Sequence, residues 1–402
     1  MSSSANRPGS SGPPRRLRAS ALISAASSRI RRPRSRYLPP TGLSVPLVTI
    51  LDPGGEISVD EQRAVMRYAI QQGTGADILF AGGTTGEWNR LDNPQRQIVA
   101  QITVDECRQA ARRDTRVEAW VGITAHDTAA TLANLEHAIA IGADAVVIAP
   151  LSIKDAKNPI DFVEREIGGA FERIGRTLPV FLYDNAEIAA IGKAPHLHTR
   201  EVRRLSQLPW IHGVKVTAGK VVLGNYTRAA AHFKRRGEFA IYPGDAYLIF
   251  DLFRPAKGVA GRTRNYWNRY LTRNSLPDGV VAGAANVLPR EWQRSWQVCR
   301  QSQLPLMERY RGIVERWPTI CEFTRNGQTT RLTIACLKAA LKDLGICTSD
   351  AVAAGTRALE PAERREFLRR FRDLRRRAAA TLEPEWLSEA EAWATDVSAR
   401  PR

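Results

Sequence analysis

Residues 76–88 read ADILFAGGTTGEW, and the way this stretch stops sets the reading of the fold. An apolar run, Ile78-Leu79-Phe80, ends abruptly in two glycines, two threonines, a third glycine and a glutamate. A buried strand that ends in small residues with hydroxyls and free N–H groups lets a small anion approach the backbone closely. The same residues also make an ordinary turn.

Outward from that stretch a rhythm repeats. Short β-branched runs appear as VPLVTI (45–50), ADILFA (76–81), VEAWVGI (117–123) and DAVVIA (144–149), then PVFLYD (179–184), IHGVKVT (211–217), EFAIYP (238–243) and GVVAGAA (279–285). Between them lie amphipathic stretches such as DTAATLANLEHAIAIGA (127–143). Strands alternating with helices at this spacing predict an α/β fold, a (β/α)8 TIM barrel over residues 43–290. A doubly wound open sheet is the alternative, but LVTILDPGGE is a poor match to its glycine fingerprint. One unit is irregular, because the 254–278 insertion is long for one helix and its loops. Helical patterns over 289–316, 329–344 and 360–380 predict a C-terminal helical extension (291–380) before a tail (381–402). The last pattern keeps only Phe367, Leu368, Phe371 and Leu374 as an apolar seam, which reads as a surface helix or a subunit contact.

The net charge of +18 resembles a nucleic-acid signal until it is located. Residues 1–40 hold nine arginines and no acid, leaving 50 basic and 41 acidic residues in the other 362. The segment to residue 42 reads as a disordered basic leader, too poor in apolar residues to offset its ordering entropy. Its Arg- and Ser-rich composition also fits a mitochondrial transit peptide. The expected location is cytoplasmic, with the mitochondrial matrix as the alternative. No apolar run approaches membrane-spanning length, so no membrane partner is expected, and the remaining basic residues are scattered as on solvated helix faces. Five cysteines without a CxxC pair imply neither a disulfide framework nor a zinc site.

In such a barrel the reactive groups gather at the C-terminal ends of the strands. Three places there carry them: Gly83-Thr84-Thr85-Gly86-Glu87, Tyr183 and Lys215. Strand periodicity puts Val180, Leu182, Val214 and Val216 toward the helices, and Phe181, Tyr183, Gly213, Lys215 and Thr217 toward the axis. A lysine inside a barrel is expensive to keep charged, and its neutral amine is the form that attacks a carbonyl to make a Schiff base. A nearby phenol moves protons. Read singly, Lys215 is also a strand-end lysine reaching solvent, and Tyr183 a core aromatic.

Taken together, GGTTGEWNRL, VFLYDN, IHGVKVT, YPGDAYLIF and DGVVAGAANVLP resemble the dihydrodipicolinate synthase / N-acetylneuraminate lyase family of class I aldolases. The likeness runs from about residue 43 to 300, and ACLKAALKDLGI (335–346) is similar to the family's C-terminal helices. The resemblance implies that Lys215 forms an imine with pyruvate or another 2-oxo acid and that Tyr183 is the general acid/base. It implies that Thr84 and Thr85, after Gly83, hold the carboxylate, and that the Val281 backbone carbonyl faces the substrate. It also implies an aldehyde partner, no metal or organic cofactor, since the imine is the electron sink, and a homotetramer or homodimer. A silent barrel contacting nucleic acid through its leader is the reading from another class.

The departures from the family pattern bear on specificity. Ile188 stands where the synthases carry an arginine for a second carboxylate, and Pro150-Leu151-Ser152 stands where much of the family carries a tyrosine lent to a neighbouring subunit. Both argue against 4-hydroxy-tetrahydrodipicolinate synthase activity proper, unless Arg262, Arg264, Arg269 or Arg273 substitutes. Glu87 is expected to accept N–H bonds at the following helix. His126 lies where it can touch substrate, and Asp245 reads equally as a cap or a ligand. The His196-x-His198 pair is not expected to bind metal.

Overall fold

Eight parallel strands form one sheet in which each strand from β1 to β6 pairs with the next in sequence: β1 (Gly42–Pro46), β2 (Ile78–Ala81), β3 (Glu118–Gly122), β4 (Ala145–Ile148), β5 (Val180–Asn185), β6 (Ile211–Thr217), β7 (Ala240–Pro243) and β8 (Gly279–Val281). β1 also pairs with β8, Ser44 opposite Val281. The seam between β7 and β8 is closed where Asp278 N–H donates to the Ile241 carbonyl at 3.1 Å and Ile241 N–H donates to the Asp278 carboxylate at 3.4 Å. With helices between successive strands, this is the (β/α)8 barrel expected from the sequence. The computed structural model describes residues 37–233, 238–254, 258–259, 263, 276–325 and 327–390. The leader to residue 36, the four arginines at 262, 264, 269 and 273, and the tail from 391 lie outside these residues.

β1 begins earlier than the apolar run VPLVTI suggests, and it stops at Pro46. Leu47 N–H still donates to the Phe80 carbonyl of β2 at 2.9 Å, and beyond it the backbone is buried but leaves the ladder. Val48 N–H donates to the Asn286 side chain at 3.1 Å and Ile50 N–H to the Gln62 side chain at 2.7 Å. Side-chain amides thus satisfy what a strand partner would otherwise satisfy. β8 is shorter than expected for a related reason: Gly283–Asn286 turns as a 3-10 helix and brings Asn286 to that loop.

The alternation of faces is as predicted. Val180, Leu182, Val214 and Val216 belong to the core shared with the helices. Inside the ring, Trp120 stacks on Phe181 with centroids 3.9 Å apart, and Tyr242 meets Trp120 edge-on at 5.1 Å. Such packed layers make a barrel interior solid rather than a pore. Gly213 admits this packing, since a Cβ there would lie 2.7 Å from Phe181 Cδ1.

Carboxylates tie neighbouring strands together at their N-terminal ends. Asp77 accepts from Leu43 N–H and Asp144 from Ala119 N–H, each at 2.8 Å. Burial raises both carboxyl groups, and it pushes Asp278 up to about 6.

After the barrel the chain departs from the expected helices in two places. The 289–316 pattern is two helices, Pro289–Arg300 and Leu304–Val314, broken where Ser302 takes a left-handed φ of 54°. A hairpin unforeseen in the sequence follows, β9 (Glu322–Arg325) with β10 (Gln328–Arg331), so the helix expected from 329 begins at Thr333. Thr329 and Thr330 are β-branched and suit the extended pair. In the helix Pro361–Thr381, Phe367, Phe371 and Leu374 are buried, with Trp317 of the same chain 6.0 Å from each phenylalanine ring. The seam read as a surface or subunit face is therefore covered from within. The described residues from Leu38 onward cluster as one compact unit, and no described helix is long and apolar enough to cross a membrane.

Candidate active site

Tyr183 and Lys215 stand side by side in the β5–β6 register. Both point into the barrel near its C-terminal end, 5% and 6% exposed. The Lys215 ammonium lies 3.8 Å from the Tyr183 ring centroid and 5.0 Å from that of Phe80. Three elements thus converge on one amine, from β2, β5 and β6. Gly83 permits part of this, since a Cβ there would press to 2.9 Å from the Phe80 ring.

The stretch after β2 forms a 3-10 turn, Thr84–Gly86, closed by Glu87 in the left-handed region. Gly86 N–H donates to Gly83 O and Glu87 N–H to Thr84 O, both at 3.0 Å. Thr84 and Thr85 open the turn, where backbone N–H groups have no partner within a helix. The Thr84 hydroxyl reaches the Tyr183 hydroxyl at 3.0 Å. Thr85 adjoins the end of β8, since a Cβ on Gly283 would stand 3.7 Å from Thr85 Oγ1. Val281 ends β8, buried and opposite Ser44.

The Tyr183 hydroxyl is unusually well served. Asn185 Nδ2 donates to it at 3.1 Å, and the Thr217 side chain also favours its anion. Burial alone raises the phenol, but the Lys215 charge and the bonds from Thr84, Thr217 and Asn185 outweigh it. The group ends below the ordinary tyrosine range. A phenol eased toward its anion, beside a lysine on a dry barrel wall, is suited to moving protons.

Other residues singled out in the sequence fall elsewhere. The Glu87 carboxylate does not serve the following helix, which Asp92 already caps by accepting from Gln95 N–H at 2.8 Å. It turns instead to Lys338 and to Ala353 N–H. His126 is exposed, its ring 5.5 Å from Trp88 and its Nε2 3.3 Å from the Asn89 carbonyl. Asp245 accepts from Tyr247 N–H, and its carbonyl accepts from Leu248 N–H at 3.2 Å, the bonds of a turn entering a short helix. His196 Nδ1 lies 3.0 Å from the buried Asp184 carboxylate, which also accepts from the Tyr226 hydroxyl at 2.8 Å. Among the described residues no group of three or more metal-ligating side chains gathers.

Leu151 is buried and Ile188 half-buried, and the loops that carry them are joined where Ala190 N–H donates to the Leu151 carbonyl at 2.8 Å. Sequence reading gave no role to Asn185, although it stands two residues after Tyr183, the spacing that puts two side chains on one face of a strand. It also missed Thr49, whose hydroxyl donates to the Gly86 carbonyl at 2.9 Å. Lys338 did leave a signal, a lysine inside the apolar stripe of Ile334, Leu337 and Leu341.

Comparison with known proteins places this geometry in context. The model of the dihydrodipicolinate synthetase family matches residues 39–273. The chain is 29% identical over 260 residues to the 4-hydroxy-tetrahydrodipicolinate synthase of Methylococcus capsulatus, covering 64% of this chain and 74% of that one. It is 25% identical over 250 residues to the N-acetylneuraminate lyase of Citrobacter koseri, covering 61% and 77%. In fold it resembles a prophage protein of Escherichia coli K12, of the dihydrodipicolinic acid synthase family and solved with pyruvate. That likeness has a TM-score of 0.65 at 20% identity, over 83% of this chain and 98% of that one.

Proposed function

Since the chain belongs to the dihydrodipicolinate synthetase family, we propose that it is a class I lyase or aldolase that works on pyruvate or a closely related 2-oxo acid through an imine on Lys215. The observation that carries this reading is the group of buried Lys215 and Tyr183 with half-buried Thr84, the amine 3.8 Å from the Tyr183 ring and the two hydroxyls 3.0 Å apart. Thr84 and Thr85 hold the carboxylate by hydroxyl and N–H. The Lys215 amine adds to the C2 carbonyl, and the carbonyl π pair moves to oxygen to give a carbinolamine. Tyr183 moves the protons by which water then leaves and the imine forms. The imine accepts the electron pair of the breaking C3–C4 bond in cleavage, while Tyr183 takes the proton of the C4 hydroxyl and an aldehyde departs. The enamine left behind takes a proton at C3 from Tyr183 and becomes the imine of pyruvate, whose hydrolysis frees Lys215; condensation runs the same steps backward. Relatives that include a synthase, a lyase and a fold neighbour holding pyruvate support the choice of 2-oxo acid.

On the acceptor side the partner is a neutral aldehyde, a sugar-derived or aromatic fragment. Leu151 and Ile188 support this, because they put apolar groups where an anionic acceptor would need a cation. The assembly expected from the family is a homodimer or homotetramer.

The direct test is borohydride trapping across a panel of 2-oxo acids, read by the mass of the Lys215 peptide. A reduced adduct on Lys215 with pyruvate is the expected result. Adducts confined to other lysines, or none, would remove the imine reading.

A further inference from the structure

The threonine turn is held from behind by the C-terminal helices. Glu87 closes the turn at φ 58°, a backbone region that a residue with a side chain keeps only when its surroundings hold it there. Groups from both sides hold it. Lys338, from the helix Thr333–Asp343, reaches the Glu87 carboxylate at 2.6 Å, and both side chains are fully buried. The other carboxylate oxygen accepts from Ala353 N–H at 2.9 Å, and Lys338 Nζ also donates to the Ala351 carbonyl at 2.8 Å. On the barrel side, Thr49 Oγ1 binds the Gly86 carbonyl, and a Cβ on Gly86 would come within 2.8 Å of the Leu47 carbonyl. The turn therefore fits tightly between β1 and the C-terminal segment.

Burial pushes the Lys338 ammonium down, and the Glu87 charge and hydrogen bond oppose that. Two charges out of reach of water depend on each other, since either alone would be left uncompensated. Their link to the chemistry is short, because Glu87 N–H donates to the Thr84 carbonyl at 3.0 Å and Thr84 Oγ1 meets the Tyr183 hydroxyl.

We infer that Lys338 is a positioning residue: through Glu87 it sets where the Thr84–Thr85 turn meets the substrate carboxylate and where the Thr84 hydroxyl meets Tyr183. The inference rests on the proposed function, and it makes the C-terminal helices part of the site rather than an appendage. A displacement of about 1 Å in such a turn is enough to cost about a hundredfold in binding or rate.

The test uses the full chain and pyruvate as probe. Three variants disturb the pair: Lys338→Met, the doubly neutral Glu87→Gln with Lys338→Met, and Glu87→Gln, which keeps the size of the side chain and its bond from Ala353 N–H. Leu341→Ala, in the same helix and also buried, supplies a variant destabilised by packing alone. Melting temperature, the pyruvate concentration that half-saturates borohydride trapping on Lys215, and the pH profile of trapping are measured for each. Where Lys338→Met fails to fold, the double variant and Glu87→Gln carry the comparison. The expected result is a rise in half-saturation of about ten- to a hundredfold with trapping still on Lys215, and a pH profile moved upward as Thr84 drifts from Tyr183. Leu341→Ala lowers the melting temperature and leaves both readouts in place. Half-saturation that stays at the wild-type value in folded variants, or that moves equally in Leu341→Ala, overturns the inference and leaves the proposed function standing. Wild-type protein that traps no 2-oxo acid overturns both.

Discussion

Thr84 Oγ1 stands 3.0 Å from the Tyr183 hydroxyl, although the two residues are 99 positions apart in the chain. The contact joins the turn proposed to hold the substrate carboxylate to the phenol proposed to move protons. Asn185 Nδ2 has hydrogens only to give, so the phenolic oxygen accepts from it. The phenolic hydrogen is then directed toward Thr84 or toward substrate.

Lys215→Ala is expected to abolish imine trapping and turnover together. Tyr183→Phe should still take up 2-oxo acid at a similar half-saturating concentration while kcat falls by about 10²–10⁴-fold, the usual contribution of a positioned acid/base. Steady-state kinetics beside trapping separate the two variants. A Tyr183→Phe protein with wild-type kcat would place the proton transfer elsewhere.

The depressed Tyr183 phenol predicts a pH effect with a definite sign. Its hydrogen bonds favour the anion, so the deprotonated form is reached at lower pH than in an ordinary tyrosine. Asn185→Leu and Thr84→Val each remove one such bond and should move the corresponding limb of the kcat profile upward. A limb that stays in place or moves downward would show that these bonds do not tune the phenol.

Asp278 gives a stability effect of opposite sense to the usual carboxylate. Burial raises its folded pKa from the ordinary aspartate value of 3.8 to about 6, so the folded state binds more protons between those values. Stability attributable to this group falls as pH rises from about 4 to about 6, by roughly 3 kcal/mol, and then stays level. Asp278→Asn retains an acceptor for Ile241 N–H and should flatten that slope, gaining about 1–3 kcal/mol above pH 6. Urea unfolding at pH 4.5 and pH 7.5 checks it, and an unchanged slope would remove Asp278 as the cause.

Trp317→Ala uncovers the seam of the helix Pro361–Thr381. Its ring meets both Phe367 and Phe371 edge-on and is almost wholly buried. Loss of an aromatic at such a site costs about 3–5 kcal/mol, to be read from the midpoint of chemical unfolding. A cost below about 1 kcal/mol would mean that the helix docks by other contacts.

Acceptor preference is expected to distinguish this site from that of a 4-hydroxy-tetrahydrodipicolinate synthase. With pyruvate fixed, neutral aldehydes should exceed aspartate semialdehyde in kcat/KM, and Ile188→Arg should narrow the difference by about tenfold, as one added charge-assisted hydrogen bond allows. Efficient turnover of aspartate semialdehyde by the wild-type protein would defeat the specificity argument.

Much of the barrel was legible because its signals are local. Apolar runs of strand length recur between amphipathic helices, and period-two alternation placed Tyr183 and Lys215 on one face before any pairing was known. The same logic failed at β1. VPLVTI is apolar but for Thr49, yet β1 ends at Pro46; beyond Leu47, whose N–H still reaches the Phe80 carbonyl, Val48 and Ile50 N–H are satisfied by Asn286 and Gln62. Local hydrophobicity records burial, not which partner takes the hydrogen bonds. The hairpin at 322–331 escaped because its residues are mostly exposed and carry no apolar alternation.

The sequence by itself determined the order of the barrel's elements, the inward set on β5 and β6, and the residue types of the proposed imine site. Periodicity and spacing are enough for those. Only the tertiary structure decided that Glu87 is answered by Lys338, 251 residues away, that the Thr84 hydroxyl meets the Tyr183 phenol, and that Trp317 covers the last long helix. Each depends on which distant groups the closed barrel and its C-terminal helices exclude from water together. No local pattern encodes that meeting, because a buried charge or ring is partnered by whatever the folded chain brings to it.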